Sequence, residues 1–156
     1  MPRNPEAAIE IDAPLETVWQ VMLDVDAYPE WNPFVVKAEC NNPPRVGDPI
    51  LLHVKWANGK GVNSPERIKV LEAPAGDSSG TTTATLAYVF EGWPAKLGLV
   101  KGIRYQRLRQ VGGGPTTYST VEEFSGPLVK LAGPARVAEG FARHARALKE
   151  RAESRP

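Results

Sequence analysis

Six side chains of a predicted β-hairpin, five of them polar, could share one face of the sheet. The segments IRYQRLRQV (103–111) and TTYSTVEEF (116–124) flank the sequence GGGP, and two strand-like runs around a glycine-rich turn are typical of a hairpin. If the turn centres on Gly113 and Gly114, the numbers of facing residues sum to about 226 or 227. The register with a sum of 226 places three pairs on one sheet face: Arg104 with Glu122, Gln106 with Thr120, and Leu108 with Tyr118.

The pair formed by Arg104 and Glu122 has two possible roles. A buried guanidinium needs a counter-charge, so inside a cavity the pair would hold the polar end of a ligand. Tyr118 and Thr120 would then supply hydrogen bonds, with Gln106 beside them. In that arrangement, Glu122→Gln is expected to destabilise the protein by several kcal/mol. A one-residue slip would instead leave a solvated pair that contributes little.

The two histidines have different expected surroundings. His144 lies beside the apolar stripe of a predicted C-terminal helix, and its imidazole could act as acid or base near neutral pH. Together with Glu122 and Tyr118, it completes the set of candidate catalytic residues. The alternative is a histidine at the edge of the core with one ring nitrogen in water. His53 lies on the strand face opposite Trp56, so we expect it to be exposed.

Several other catalytic and metal-binding patterns are missing from the sequence. Two separated histidines and a single cysteine, Cys40, do not supply the three or four ligands of a metal site. The GGGP turn leads into a strand rather than a helix, so it does not predict a phosphate-binding loop. A Gly-x-Ser-x-Gly elbow is also lacking. We therefore expect neither a metal nor a cofactor.

Length, charge and hydropathy limit the class of protein. The chain has 156 residues, is 42% hydrophobic and has a net charge of +1. We expect one domain over residues 1–156, with a core large enough to contain a cavity. The near-zero net charge provides no field to attract nucleic acid, so no such partner is predicted. With neither a signal peptide nor an apolar run of roughly 18 residues, the prediction is a cytoplasmic monomer or homodimer without a membrane span.

The periodicity of apolar residues predicts one long antiparallel sheet and few helices. Strand-like segments before the hairpin are 7–12, 34–40, 49–57, 66–73 and 81–92. A short helix begins at Leu15, where Asp12 could cap it, and a second short helix or turn follows at Pro29. The segment 92–102 is too rich in glycine and proline for a regular element.

The last predicted helix runs from about Ala135 to Glu153 and carries one apolar stripe. The stripe consists of Val137, Phe141, Ala145 and Leu148. One stripe is too narrow to cover a curled sheet, so a cavity between sheet and helix is expected. Trp19 and Trp31 are expected in the core.

Two longer stretches resemble a known superfamily. IDAPLETVWQVMLDVDAYPEWNPFV (11–35) is similar to the opening of START-like SRPBCC proteins, in which an acid-Ala-Pro turn begins the first helix and Y-x-x-W-N-P-F forms the second helix and its exit. The glycine-rich hairpin, EEFSGPL and the final helix agree with that family. The most similar branch contains polyketide cyclase/dehydrase-like proteins.

The resemblance implies an α+β helix-grip fold. Such a fold has a curved antiparallel sheet of about seven strands around a long C-terminal helix, with two short helices after the first strand. It also implies that Trp93 and Pro94 lie near the cavity mouth, where Trp93 stacks on a ligand ring or packs back on the helix. Trp56, Phe90 and Phe141 complete the candidate ligand-binding residues. Thr120 stands where relatives often carry histidine, which removes the most obvious base.

These features leave three hypotheses for function. The first is a protein that binds a small, mostly apolar, ring-containing molecule, and the second is a cyclase or dehydratase without a cofactor. The third, a regulatory partner protein, lacks support because no exposed apolar helix face is predicted. Glu122 discriminates between the first two: binding is favoured if Arg104 neutralises it, and catalysis if it is free in apolar surroundings.

Overall fold

The computed structural model describes residues 4–155 and contains a seven-stranded antiparallel sheet. The strands are β1 (Glu6–Ile11), β2 (Val35–Cys40), β3 (Pro49–Lys55), β4 (Gly61–Gly76), β5 (Thr81–Phe90), β6 (Lys101–Val111) and β7 (Thr116–Ser125). Their order across the sheet is β1-β7-β6-β5-β4-β3-β2. The sheet curls into a half-barrel, and this confirms the predicted α+β helix-grip fold.

Four helices accompany the sheet: α1 (Leu15–Leu23), α2 (Tyr28–Trp31), α3 (Trp93–Lys96) and α4 (Pro134–Glu153). Short 3-10 turns precede α2 and α4. The two short helices after the first strand and the long terminal helix agree with the prediction. The segment predicted to be irregular contains the single turn α3, for which Pro94 at a first-turn position is well suited.

The start of α1 differs from the prediction. Pro14 occupies the N-cap position and no side chain caps the helix, so the predicted cap by Asp12 is wrong. The backbone N–H of Asp12 instead donates to Glu153 at 2.7 Å. The Gln110 side-chain oxygen accepts the N–H of Leu15 at 3.1 Å. A tertiary contact from β6 thus satisfies the donor that a local cap would have satisfied.

Strand β4 is longer at both ends than the predicted segment 66–73. Its first residues pair with β3, as Val62 does with Val54. Its last residues pair with β5 beyond an irregularity between Glu72 and Ala75. Neighbouring strands therefore extend β4 through proline and glycine positions that local propensity treats as loop.

The predicted stripe of α4 packs on the core. Val137, Phe141, Ala145 and Leu148 are all buried. Phe141 contacts Phe34, with ring centroids 5.8 Å apart in an edge-to-face arrangement. Trp19 is buried, and Trp31 is half-buried against the same core. The helix thus closes one side of the half-barrel and leaves space farther along its concave face.

Candidate functional site

A cavity of about 400 Å³ lies between the sheet and α4. Six of the ten predicted site residues line it: Arg104, Glu122, Trp56, Phe90, Trp93 and Phe141. The other four are buried beside Arg104 or its partners and do not line the cavity: Gln106, Tyr118, Thr120 and His144. The hairpin therefore supplies both a cavity wall and a polar layer behind it.

Aromatic rings and one guanidinium surround the mouth of the cavity. The turn α3 presents Trp93, which is 68% exposed and so does not pack back on the helix. Gly92 precedes it because a Cβ at that position would collide with the Phe90 ring. The guanidinium of Arg136 lies over the Trp56 ring, 4.2 Å from its centroid. Trp56 itself lines the cavity.

Neutral hydroxyl groups hold the guanidinium of Arg104, which is buried with 2% exposure. Its Nε donates to the Thr120 hydroxyl at 2.9 Å. Its two Nη atoms donate to the hydroxyls of Tyr88 and Tyr118 at 3.2 and 3.3 Å. Its Cζ also lies 4.1 Å from the Phe141 ring centroid. With a further contact to the His144 ring, these bonds engage four of the five N–H donors of Arg104 without neutralising its charge.

Arg104 and Glu122 face each other in the predicted register, but the predicted ion pair does not form. The ion pairs among residues 4–155 all involve other side chains. The cause is Gly102, the neighbour of Arg104 along the same face of β6. The Glu122 carboxylate occupies the space that a side chain at position 102 would fill. Glu122 thus leans along β6 instead of meeting Arg104 directly.

Glu122 is a titratable group whose ionisation falls near neutral pH. The side chain lines the cavity and is 9% exposed. Burial raises the pKa of its carboxyl to about 7, and the charge of Arg104 opposes that rise only in part. At neutral pH both the acid and the carboxylate are populated, so the group can donate or accept a proton.

A second buried acid, Glu66 on β4, was missed by sequence reasoning. Glu66 is 7% exposed and lines the same cavity. The Ser64 hydroxyl donates to its Oε2 at 2.6 Å, while Oε1 has no hydrogen-bond partner within the described part of the chain. Burial, followed by the charge of Glu122, raises its pKa well above the ordinary range. Glu66 could have been found from its spacing of two residues from the apolar Ile68, because that spacing places both side chains on the inner face of the sheet.

Tyr88 on β5 was also missed. It pairs with Arg104 across the sheet, and its hydroxyl accepts hydrogen bonds from both Arg104 and the Gln106 amide, each at 3.2 Å. Burial raises the pKa of Tyr88 to about 12, so the phenol stays neutral. Its alternation with the inward-facing Leu86 could have identified it.

His144 is part of the layer behind Arg104 rather than a histidine at the edge of the core. It is 1% exposed, and its ring stacks on Tyr118 with centroids 6.1 Å apart. Burial and the charge of Arg104 lower its pKa well below the ordinary range. The imidazole is therefore neutral, and its Nδ1 accepts from Arg104 at 3.4 Å. It positions the guanidinium from outside the cavity.

Among the described residues, the remaining histidine, His53, does not belong to a metal-binding group. His53 is partly exposed and lies 2.7 Å from the Glu39 carboxylate, on the face predicted for it. Within residues 4–155, no group of three or more His, Cys, Asp or Glu side chains is arranged to hold a metal ion. Over the same residues, no helix combines the length and apolar character needed to cross a membrane.

Solved structures with the same fold include an aromatase/cyclase and a di-domain ARO/CYC protein. The Zhui aromatase/cyclase from Streptomyces sp. R1128 superposes with a TM-score of 0.71 at 20% identity, over 97% of this chain and 93% of that chain. The di-domain ARO/CYC BexL from the BE-7585A pathway gives 0.70 at 12% identity, over 99% of this chain and 51% of that one.

Norcoclaurine synthase from Thalictrum flavum gives a TM-score of 0.64 at 16% identity, over 99% of this chain and 88% of that chain. At these identities the likeness shows the fold alone. Among curated proteins, no sequence relative matches the chain.

The family itself is identified from sequence. Residues 4–153 match the family model described as polyketide cyclase / dehydrase and lipid transport. The match includes all seven strands and all four helices. The chain therefore belongs to this family, within the SRPBCC superfamily of helix-grip proteins.

Proposed function

We propose that this chain binds a small, mostly apolar, ring-containing molecule in the cavity between the sheet and α4. The observation that carries the proposal is the cavity, with its aromatic mouth and charged inner end. Its volume of about 400 Å³ falls in the range of small-molecule sites. The family description and the aromatase/cyclase with the same fold support a ligand of this kind.

The lining matches such a molecule in two ways. Phe90, Phe141 and Trp56 provide ring faces and edges for an apolar body. Arg104 and Glu122 stand at the inner end, where a polar substituent would find a buried donor and a titratable oxygen. A few polar groups in an apolar cavity fix the orientation of a ligand, because each must be satisfied when water leaves.

Binding can be measured with N-phenyl-1-naphthylamine, an uncharged dye whose emission rises in apolar surroundings. We expect saturable binding, and weaker binding by Trp93→Ala because the mutation removes a ring from the mouth. Val111→Ala is the matched control, since Val111 is also exposed but lies at the hairpin end of β6. Failure of the parent protein to take up the dye would overturn the proposal, and unchanged affinity in Trp93→Ala would remove Trp93 from the site.

A second candidate function is a cyclase or dehydratase that needs no cofactor. The specific observation favouring it is Glu122, which titrates near neutral pH and lacks an ion-pair partner among the described residues. A shaped cavity supplies orientation, and a tuned carboxyl supplies or removes the proton. Tyr118 and His144 lie outside the cavity, so Glu122 is the one of the three predicted catalytic residues to which proton transfer is assigned.

Dehydration of 4-hydroxy-4-phenylbutan-2-one tests this second function. Protonated Glu122 gives its proton to the departing C4 hydroxyl, and its carboxylate then takes the proton from C3. Water and a conjugated enone result, and the enone is followed by its ultraviolet absorbance. If Glu122 protonates the departing hydroxyl, the rate should fall as the pH rises through about 7. Glu122→Gln should still bind the dye but lose turnover, whereas Glu123→Gln, on the exposed face of the same strand, should keep it. Equal turnover by the two variants would exclude Glu122 as the acid.

A further inference from the structure

We propose that Glu66 and Glu122 together form a cation subsite at the inner end of the cavity, which binds the ammonium group of a ring-containing amine. The inference rests on the proposed function, because the amine's ring would occupy the same cavity. It adds the chemical class of the ligand: an organic monocation with an apolar body.

The first support is the direction in which Glu122 leans. Glu66 pairs with Phe90 across β4 and β5, and Val89 pairs with Ile103, so Phe90 and Gly102 are the next pair along. Glu66 and Gly102 therefore share one row across the sheet. The Glu122 carboxylate fills the space above Gly102, which brings it into the row of Glu66. Phe90 lies between Glu66 and Gly102 in this row, and the Glu122 carboxylate stands beyond it, near enough for its charge to raise the pKa of Glu66.

The second support is the unpartnered oxygen of Glu66. Ser64 holds Oε2, so the orientation of the carboxyl group is fixed. Oε1 lacks a hydrogen-bond partner among residues 4–155, although the side chain is 7% exposed and lines the cavity. A buried acceptor without a partner is costly. A donor on a bound ligand would satisfy it.

The third support is the balance of charge. The groups that face the two acids are Arg104, Tyr88, Glu91 and, at the mouth, Arg136. Tyr88 is neutral, Glu91 pairs with Arg67 outside the cavity, and Arg136 stacks on Trp56. At the inner end, away from Arg136, two ionised carboxylates would face one guanidinium, most of whose donors already bind neutral groups. One negative charge is left over, and either a proton or a bound monocation balances it.

A neutral hydroxyl could also donate to Oε1, but the proton that balances the charge would then stay in place. The charge of the ligand therefore distinguishes an ammonium from a hydroxyl. An ammonium keeps both acids ionised and displaces their protons on binding, whereas a hydroxyl does not. The two ligand classes can thus be told apart in solution without a structure of the complex.

The experiment compares 2-(2-naphthyl)ethylamine with its neutral counterpart 2-(2-naphthyl)ethanol by isothermal titration calorimetry. At pH 8 the amine should bind at least about tenfold more tightly, as a charge-assisted contact with a buried carboxylate predicts. At pH 7, titrations in phosphate and HEPES, which differ in ionisation enthalpy, should report release of about one proton per bound amine. The alcohol should release none.

Three variants test the assignment. Glu66→Gln should abolish the preference for the amine and reduce proton release, while preserving the shape of the side chain. Gly102→Ala should weaken the preference by displacing Glu122. Glu123→Gln, on the exposed face of β7, should behave as the parent. Thermal unfolding by circular dichroism identifies any variant that does not fold, and the comparison of the two ligands on the parent needs no variant.

The outcomes separate the two proposals. Equal affinity of the parent for the amine and the alcohol would overturn the cation subsite and leave the binding cavity standing. A preference for the amine that survives in Glu66→Gln would also overturn it. Failure of the parent to bind either compound would overturn the proposed function and, with it, the subsite.

Discussion

The change Glu122→Gln should stabilise this protein at alkaline pH, because burial makes the ionised form of Glu122 unfavourable in the folded state. Its pKa rises from an ordinary value of 4.5 to about 7. A carboxyl with a raised pKa binds its proton more tightly in the folded state than in the unfolded one. Its contribution to stability is therefore complete below the unfolded value and is lost as the pH rises through about 7.

The magnitude follows from those two values. At about 1.4 kcal/mol for each pH unit between them, ionising Glu122 in the folded protein costs about 3 kcal/mol. Glutamine resembles the protonated acid, so the variant should unfold with the parent's free energy near pH 4.5 and exceed it by about 3 kcal/mol at pH 8. Against a total of about 5–15 kcal/mol for a domain, the difference is easily measured.

The assay is urea unfolding followed by tryptophan fluorescence at several pH values from 4.5 to 8, with Glu123→Gln as the control. Glu123 is exposed on the same strand, so its variant should follow the parent at every pH. The opposite result would refute the reasoning: a Glu122→Gln protein less stable than the parent at pH 8 by several kcal/mol. That outcome would mean that Arg104 depends on Glu122 as its counter-charge.

Two further changes probe the packing around the same site. Phe141→Ala should lower the free energy of unfolding by about 3–5 kcal/mol, since the ring is 1% exposed and contacts both Phe34 and Arg104. The change is measured by denaturant titration. A loss below about 1 kcal/mol would show that the residues around the cavity rearrange to fill the space. Gly102→Ala should cost about 1–3 kcal/mol, because its methyl group meets the Glu122 carboxylate and the Phe124 ring. An alanine variant as stable as the parent would show that Glu122 can move aside without strain.

The hairpin register could be predicted from sequence, whereas the missing ion pair could not. Turn position and alternation fix which Cα atoms face each other, and the Arg104–Glu122 pairing followed from them. Which way a glutamate side chain leans depends on the space beside it. Here that space is created by Gly102, on the same strand face as Arg104. Two residues that face each other in the register therefore need not have side chains in contact.

The second acid was missed for a related reason. Glu66 stood at the edge of the predicted strand 66–73, and a terminal charged residue is ordinarily solvated. The real strand begins at Gly61, which places Glu66 well inside the sheet between Ile50 and Phe90. Pairing with neighbouring strands, rather than local propensity, determines that extension. An error of a few residues in one boundary therefore concealed half of the proposed subsite.

The position of β1 at the sheet edge beside β7 has a consequence for how the chain folds. Glu6 pairs with Val121, and Lys149 near the end of α4 donates to the Glu10 carbonyl at 2.9 Å. Glu6 lies 115 positions before its partner Val121, and Lys149 lies 139 positions after Glu10. Contacts of such long sequence separation slow folding, because loop closure precedes the gain from burial. The first strand therefore joins the sheet late in folding, and the cavity is complete only once α4 has packed beside that strand.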